Sequence, residues 1–207
     1  MIIAERLKQL PSLNLNSGGH GNFEEGHCAM EAVAWLVGEK HSDFPQCVCP
    51  VIRAFMMKWN DDLPSDEERN RILRPLLTKV IGTRSTPGVE QSRADRVLQW
   101  FIGESTPAWL ALVPDLQHVA ETLRSQPTPA NCTSAQAAAA AYLKKKEEEV
   151  VAGDTARDAA WDAAWDAAWA AARDAVGQRL AATVAQLQES ASALVIELCE
   201  MKEATAA

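Results

Sequence analysis

The segment from Gly26 to Pro50 concentrates the residue types that could bind a metal ion or act as nucleophiles. It contains three of the five cysteines and two of the four histidines in the chain. Thiolate sulfur and imidazole nitrogen are ligands that Zn²⁺ prefers in proteins. Together with one histidine just upstream, the candidate ligands are His20, His27, Cys28, His41, Cys47 and Cys49. A zinc site is therefore the first interpretation to consider.

The placement of the cysteines favours zinc more than their spacing does. Cys47 and Cys49 are separated by one residue, whereas the usual zinc knuckle has two residues between its cysteines. Cys28, however, begins one predicted helix, and the other two cysteines directly precede the next. If the two helices form an antiparallel or crossed pair joined by residues 39–46 and begin side by side, the three sulfur atoms converge. We predict a zinc site of three cysteines and one histidine at Cys28, His41, Cys47 and Cys49, with His20 or His27 as substitutes for His41.

Two other interpretations of the cysteines remain open. Free cysteine is among the most buried residue types, so the three thiols could be small apolar parts of the core. A nucleophile is the other alternative, because Cys28 and Cys49 both lie at predicted helix N-termini, where the helix dipole stabilises a thiolate. His27 or His41 would then be the base. Neither thiol is surrounded by a recognised cysteine-hydrolase signature.

Glu31 is the one charged residue in the otherwise apolar run from Cys28 to Val37. A buried carboxylate is costly unless it is paired, hydrogen-bonded or bound to a metal, so Glu31 should have a specific partner. We expect a salt bridge to Arg53 or Arg84, or a hydrogen-bonded cap on a neighbouring loop.

Helical patterns and helix-capping residues follow one another along the first 124 residues. The predicted starts are residue 2, Cys28, Pro50, Ser65 with Glu68 as a capping box, Thr86-Pro87 and Thr106-Pro107. Pro75 should kink the helix that contains it. No segment alternates apolar and polar residues as a strand would. The sequence predicts an all-α fold, with residues 1–124 forming a compact bundle of helices around the Cys/His cluster.

The C-terminal third differs in composition. Residues 125–134 contain two prolines and small polar residues, which predicts a linker. Residues 135–207 should form a long helical hairpin or coiled-coil arm, which turns near Gly153-Asp154. In its second helix, Trp161, Trp165 and Trp169 form a ridge with Asp158, Asp162 and Asp166 beside it. Apolar residues then follow at alternating spacings of four and three, a heptad seam made of Leu180, Val184, Leu187, Ala191, Leu194, Leu198 and Met201.

Charge and hydropathy exclude several classes of partner. The net charge is −8, so the electrostatic attraction that drives nucleic-acid binding is lacking, and nucleic acid is disfavoured as a partner. No apolar run of 18 residues could cross a membrane, and the N-terminus lacks the pattern of a secretory signal. We therefore expect a cytoplasmic protein whose five cysteines are thiols or metal ligands rather than a disulfide framework.

The segments "CAMEAVAWLVGEKHSDFPQCVCPVI" and "IGTRSTP", followed by an Ala/Trp/Asp-rich tail, resemble an uncharacterised family of bacterial and bacteriophage proteins. The resemblance spans about residues 17–124 and implies an accessory protein of phage or bacterial origin. From the residues, we expect a non-enzymatic binding or assembly protein, stabilised by zinc and self-associating or binding a protein partner through residues 158–201. The alternative is a small metal-dependent hydrolase or a cysteine-nucleophile enzyme that uses Cys28, His41, Cys47 and Cys49.

Overall fold

The computed structural model describes residues 1–153 and 162–202, and it describes side chains for residues 1–146 and 179–202. Its helices are α1 (Ala4–Gln9), α2 (Ala29–Val37), α3 (Pro50–Asp62), α4 (Asp66–Leu73), α5 (Leu77–Val80), α6 (Pro87–Trp100), α7 (Thr106–Leu110), α8 (Gln117–Ser125), α9 (Pro129–Gly153) and α10 (Asp162–Glu200). Within the described ranges there is no strand. The all-α class is confirmed, while the predicted bundle and the C-terminal hairpin stay predictions.

The predicted helix starts at Pro50 and Ser65 and the predicted interruption at Pro75 are confirmed, whereas the first helix begins at Ala4 instead of residue 2. Helix α2 ends at Gly38, whose positive φ of 78° forms a left-handed cap that glycine adopts without strain. Pro50 is the first residue of α3, and the Ser65 hydroxyl accepts a hydrogen bond from the Glu68 N–H at the start of α4. Pro75 lies in a turn of 3₁₀-helix that separates α4 from α5. Local capping chemistry therefore sets these boundaries.

The predicted helix start at Thr106-Pro107 coincides with the first residues of α7, but no loop precedes it. A π-helical segment, Phe101–Ser105, joins α6 directly to α7. A proline inside an α-helix removes one hydrogen bond and crowds the carbonyl four residues earlier. The wider π turn immediately before Pro107 lets the helical path continue through the proline. The predicted start therefore marks a change from π-helix to α-helix and not the end of a loop.

The chain divides into two compact units, and neither boundary matches the predicted linker. Unit 1 comprises Met1–Val97 and Ser190–Ala207, and unit 2 comprises Leu98–Glu189. The predicted linker, residues 125–134, is mostly helical, because α8 continues to Ser125 and α9 begins at Pro129. The core of unit 2 contains Ile102, Leu123 and Ala135. Residues on both sides of the predicted linker thus belong to one core.

The predicted heptad seam in α10 is buried only in its second half. Ala191, Leu194 and Leu198 are buried, whereas Leu180 is 42% exposed. Met201 follows the end of the helix. Of the predicted ridge, Asp158 and Trp161 lie outside the described residues, and the side chains of Asp162, Trp165, Asp166 and Trp169 are also outside them.

Among the described residues, none of the helices combines the length and the apolar character that spanning a bilayer requires.

Candidate functional site

The orientation of α2 and α3 decides where the cysteines lie. The N–H of Ala29, in the first turn of α2, donates a 3.1 Å hydrogen bond to Oδ1 of Asn60, which is near the end of α3. The start of α2 therefore lies beside the end of α3. Cys49, at the start of α3, is about 16 Å further along that helix at 1.5 Å per residue. The pair is antiparallel, which was one of the two predicted arrangements, but the expectation that the two helices begin side by side is wrong, because in an antiparallel pair the start of one helix lies beside the end of the other.

At the start of α2, the buried carboxylate of Glu31 collects hydrogen bonds from the preceding loop. It accepts 2.8 Å and 2.7 Å bonds from the backbone N–H groups of His20 and Cys28, and a further 2.8 Å contact from Nδ1 of the His20 ring. Nε2 of His41 lies 3.6 Å from the other carboxylate oxygen. The expected partner, Arg53 or Arg84, is wrong, whereas the expected cap on a neighbouring loop is confirmed.

These bonds set the charge of the carboxylate. Burial alone would raise the pKa of Glu31, but the N–H groups of His20 and Cys28 and the His20 ring bring that pKa below its ordinary value. Glu31 is therefore ionised at neutral pH. A buried, ionised and fully bonded carboxylate at a helix N-terminus also interacts favourably with the helix dipole, so Glu31 joins the loop to the helix.

His27 lies in an aromatic stack beside this carboxylate. Its ring is parallel to that of Phe23 at a centroid distance of 4.3 Å, and Phe23 stacks in turn on Trp35 at 4.8 Å. The side chain is buried, and neither ring nitrogen meets the geometry of a hydrogen bond. Burial and the neighbouring His20 lower the pKa of His27, which the nearby Phe23 carbonyl and Glu31 only partly oppose. The ring is thus neutral at pH 7 and contributes mainly by stacking.

The thiol of Cys28 is held in its protonated form. Burial raises its pKa to about 12, and the charge of Glu31 adds to that increase. A thiol of this kind is a poor nucleophile at neutral pH, because the thiolate is the reactive species. The surroundings of Cys28 therefore do not favour the nucleophile interpretation at this position.

Cys47 and Cys49 belong to a different neighbourhood, around the loop that precedes α6. The carbonyl of Cys47 accepts a 3.2 Å bond from the N–H of Arg84, and the N–H of Cys49 donates a 3.0 Å bond to the hydroxyl of Thr83. Burial and the charge of Glu39 raise the pKa of the Cys47 thiol. Cys49 is completely buried. These contacts join the start of α3 to residues 83 and 84.

The structure therefore does not assemble the predicted metal ligands. Cys28 and His41 lie near Glu31 at one end of α3, and Cys47 and Cys49 lie at its other end. In the part of the chain that the structure describes, no group of three or more His, Cys, Asp or Glu side chains is arranged to hold a metal ion. The residues present do not fit the predicted zinc site in this arrangement, so zinc binding stays a prediction from the sequence.

Three buried polar residues that the sequence analysis did not single out organise the region. The fully buried amide of Asn60 accepts from Ala29 and donates a 3.0 Å bond to the Asn16 carbonyl. Arg69 donates 2.7 Å and 3.0 Å bonds to the carbonyls of Asn60 and Leu63, at the end of α3. The third residue is Arg93 of α6, which donates hydrogen bonds of 2.7 Å and 3.0 Å to the carbonyls of Leu198 and Met201. For Asn60 and Arg69, a polar residue on the apolar side of a predicted helix was the available signal.

The geometry around Glu31 is that of a well-connected structural centre. Its carboxylate is occupied by donors from the loop, its neighbouring thiol is protonated, and the stacked His27 is neutral. In these protonation states the three groups stabilise the folded loop. Proton or group transfer needs a group that can change its protonation state at working pH. No family model, curated protein or solved structure matches the chain, so function rests on its own residues.

Proposed function

We propose that the chain is a non-enzymatic binding or assembly protein, and that the long helices α9 and α10 provide its contact surface. The observation that carries the proposal is the exposure of large apolar side chains on these helices. Leu143 of α9 is 61% exposed and Leu180 of α10 is 42% exposed. Burying a leucine side chain contributes about 1.5–3 kcal/mol, so each exposed leucine favours association.

The composition of these helices supports the same proposal. Alanine is the strongest helix former, so an alanine-rich helix needs few tertiary contacts to keep its shape. The sequence of α10 continues towards its N-terminus into the tryptophan repeat, and tryptophan is enriched in the centres of protein interfaces. A stable helix with apolar side chains at regular spacing is a common form of protein contact surface.

The contact surface is narrower than residues 158–201. Ala191, Leu194 and Leu198 are buried in the single chain and are not available to a partner. The proposed surface on α10 therefore lies before Ser190. The first partner to test is a second copy of this chain, because the seam spacing that includes Leu180 is typical of helices that pair with their own kind.

Light scattering of the full chain over a range of concentrations tests the proposal. We expect a mass above that of one chain, which rises with concentration. Leu180→Glu should weaken association about tenfold or more, because it places a charge on the apolar seam. Ala181→Glu is the matched control, since Ala181 is also exposed and neighbours Leu180 on the same helix.

A mass of one chain at every concentration would contradict self-association. An equal effect of Leu180→Glu and Ala181→Glu would contradict the role of the seam. Truncation before residue 190 is not a suitable test, because it removes part of the core of unit 1.

A further inference from the structure

The loop between α2 and α3 holds an aromatic side chain at the surface of the protein. Phe44 is 49% exposed. Its N–H donates a 3.1 Å hydrogen bond to the Ser42 hydroxyl, and its carbonyl accepts a 3.0 Å bond from the side-chain amide of Gln46. The Glu39 carboxylate accepts bonds of 2.6 Å and 3.2 Å from the N–H groups of Gln46 and Cys47. The exposure of Phe44 therefore follows from a hydrogen-bonded loop and not from a frayed one.

The guanidinium of Arg53, in the first turn of α3, lies against this ring. Its central carbon is 3.9 Å from the centroid of the Phe44 ring, which is within the range of a cation–π contact. Arg53 was an expected partner of Glu31, but that carboxylate binds loop N–H groups instead. Within the described ranges, the Arg53 guanidinium has no hydrogen-bond acceptor, and its Nε is buried without one.

An arginine in this state has unused binding capacity. A guanidinium carries five N–H donors and a positive charge, and an aromatic face supplies no acceptor for those donors. Because Arg53 as a whole is only partly buried, its terminal N–H groups are open to a molecule in solution. Phe44 and Arg53 thus form an exposed pair of one apolar ring and one unpaired cation, which we call the Phe44–Arg53 platform.

A carboxylate with an aromatic neighbour fits this platform. The two oxygens of a carboxylate match the planar donor fork of a guanidinium. The net charge of the chain is −8, which repels a doubly charged phosphate more strongly than a singly charged carboxylate. A free carboxylate would leave the exposed part of Phe44 in water, whereas an adjoining aromatic side chain of a peptide would cover it. Aromatic residues and arginine are also enriched at the centres of protein interfaces.

We infer that the Phe44–Arg53 platform docks a protein partner through a peptide segment in which Asp or Glu adjoins an aromatic residue. The partner's carboxylate binds the terminal nitrogens of Arg53, and its aromatic side chain packs on Phe44. Both platform residues belong to unit 1, whereas Leu143 and Leu180, on which the proposed contact surface depends, belong to unit 2. The inference therefore goes beyond the proposed function and does not depend on it.

A peptide titration followed by NMR tests the platform in the full, ¹⁵N-labelled chain. The probe is a short alanine peptide, acetylated and amidated at its ends, with one glutamate followed by one tryptophan. We expect saturable shifts of the backbone N–H signals of Phe44 and Arg53 and of the Arg53 Nε–H signal. The same peptide with glutamine in place of glutamate should bind about tenfold more weakly or worse, because only the charge is removed. Equal binding of the two peptides, or no saturable shift up to about 10 mM peptide, would overturn the inference.

Variants of the chain separate the platform from a general effect of charge. Arg53→Lys keeps the charge but not the planar fork, and it should weaken binding of the glutamate peptide about fivefold or more. Phe44→Ser removes an exposed ring and should weaken binding about threefold or more. Arg84→Lys is the matched control, because Arg84 is an exposed arginine that lies near Glu90, and it should change binding by less than about twofold. An unchanged urea midpoint shows that each variant folds. An effect of Arg84→Lys as large as that of Arg53→Lys would overturn the inference.

Two further outcomes would identify a different occupant and overturn the inference. Inorganic phosphate that shifts the Arg53 signals at lower concentration than the glutamate peptide would identify a site for small anions. Shifts of the Phe44 and Arg53 signals with the concentration of the chain alone would identify a second copy as the occupant. Leu180→Glu should leave peptide binding unchanged, so failure of the proposed self-association and failure of the platform are distinguishable.

Discussion

The two ends of the heptad seam in α10 have the same spacing of apolar residues but differ in solvent exposure. Leu198 is completely buried, whereas Leu180 is 42% exposed. The difference lies in the polar groups nearby, since Arg93 binds the carbonyls of Leu198 and Met201. The spacing of apolar residues thus indicates only which face of a helix is apolar. A buried hydrogen-bonding group helps to determine which surface of the protein that face packs against.

The largest expected contrast is between leucine truncations at the two ends of this seam. Leu198→Ala should lower the free energy of unfolding by about 2–5 kcal/mol, because it leaves a cavity in a packed core. Leu180→Ala should change it by less than about 0.5 kcal/mol at a concentration where the chain is a monomer. Urea unfolding of the full chain measures both. Equal losses of unfolding free energy in the two variants would contradict the difference in burial between Leu198 and Leu180.

Truncating the buried arginine should have the next largest effect. Arg93→Met keeps much of the apolar stem but leaves the carbonyls of Thr83, Leu198 and Met201 without their donor, which should cost about 2–3 kcal/mol. Arg96→Met is the control and should cost less than about 1 kcal/mol, because its pair is partly exposed. A larger effect at Arg96 than at Arg93 would contradict the role given to the buried arginine.

Acidification should weaken the site around Glu31 and leave the contacts of Arg93 unchanged. The pKa of His27 is lowered in the folded chain, so the unfolded chain binds a proton more readily and stability falls as the pH decreases through 6.5. The lowered pKa of Glu31 acts in the same direction below 4.5. Stability should therefore be greatest between pH 7 and 9 and decline in these two acidic ranges, since the raised pKa of Cys28 makes stability fall above pH 9.

Two variants check the origin of that pH dependence by urea unfolding at each pH. His27→Phe preserves stacking on Phe23 and should flatten the decline just below pH 6.5. Glu31→Gln should flatten the decline below pH 4.5, with a loss of about 1–3 kcal/mol at neutral pH because a charged acceptor of backbone N–H groups is removed. A wild-type curve that rises on acidification would contradict both assignments.

The smallest expected effect concerns metal. Because Cys28 and Cys47 lie at opposite ends of α3, Cys47→Ser should lower the free energy of unfolding by no more than about 1 kcal/mol. A chelator should leave the unfolding midpoint unchanged. Elemental analysis of the purified chain completes the test. About one zinc per chain, lost together with folding in Cys47→Ser, would restore the zinc prediction and contradict the described arrangement.

Local signals predicted much of the fold. Gly38, Pro50 and Ser65 set helix boundaries through their own backbone and capping chemistry, which acts over a few residues. The arrangement of the cysteines could not be predicted in the same way. It depends on the bond from Ala29 to Asn60, which are 31 residues apart. Helical periodicity reports which face of one helix is apolar and contains no information on the direction of its neighbour.

The buried polar residues were missed for the same reason. Arg93 is hard to distinguish from a surface arginine by its position in α6, because two of its three acceptors lie 105 and 108 residues further along the chain. The burial of Glu31 and its need for a partner were easier to predict, since a carboxylate within an apolar run must have a partner. Even there, the sequence did not distinguish Arg53 or Arg84 from the loop N–H groups that it binds.

The discontinuity of unit 1 affects the order in which the chain can fold during synthesis. Residues 1–97 leave the ribosome first, but Arg93 gains the Leu198 and Met201 carbonyls only after about a hundred further residues have been added. At about 5–20 residues per second, the growing chain spends roughly 5–20 s with Arg93 lacking two of its three acceptors and with the apolar surface beneath α10 uncovered. That interval is when nascent chains on one polysome are most exposed to one another.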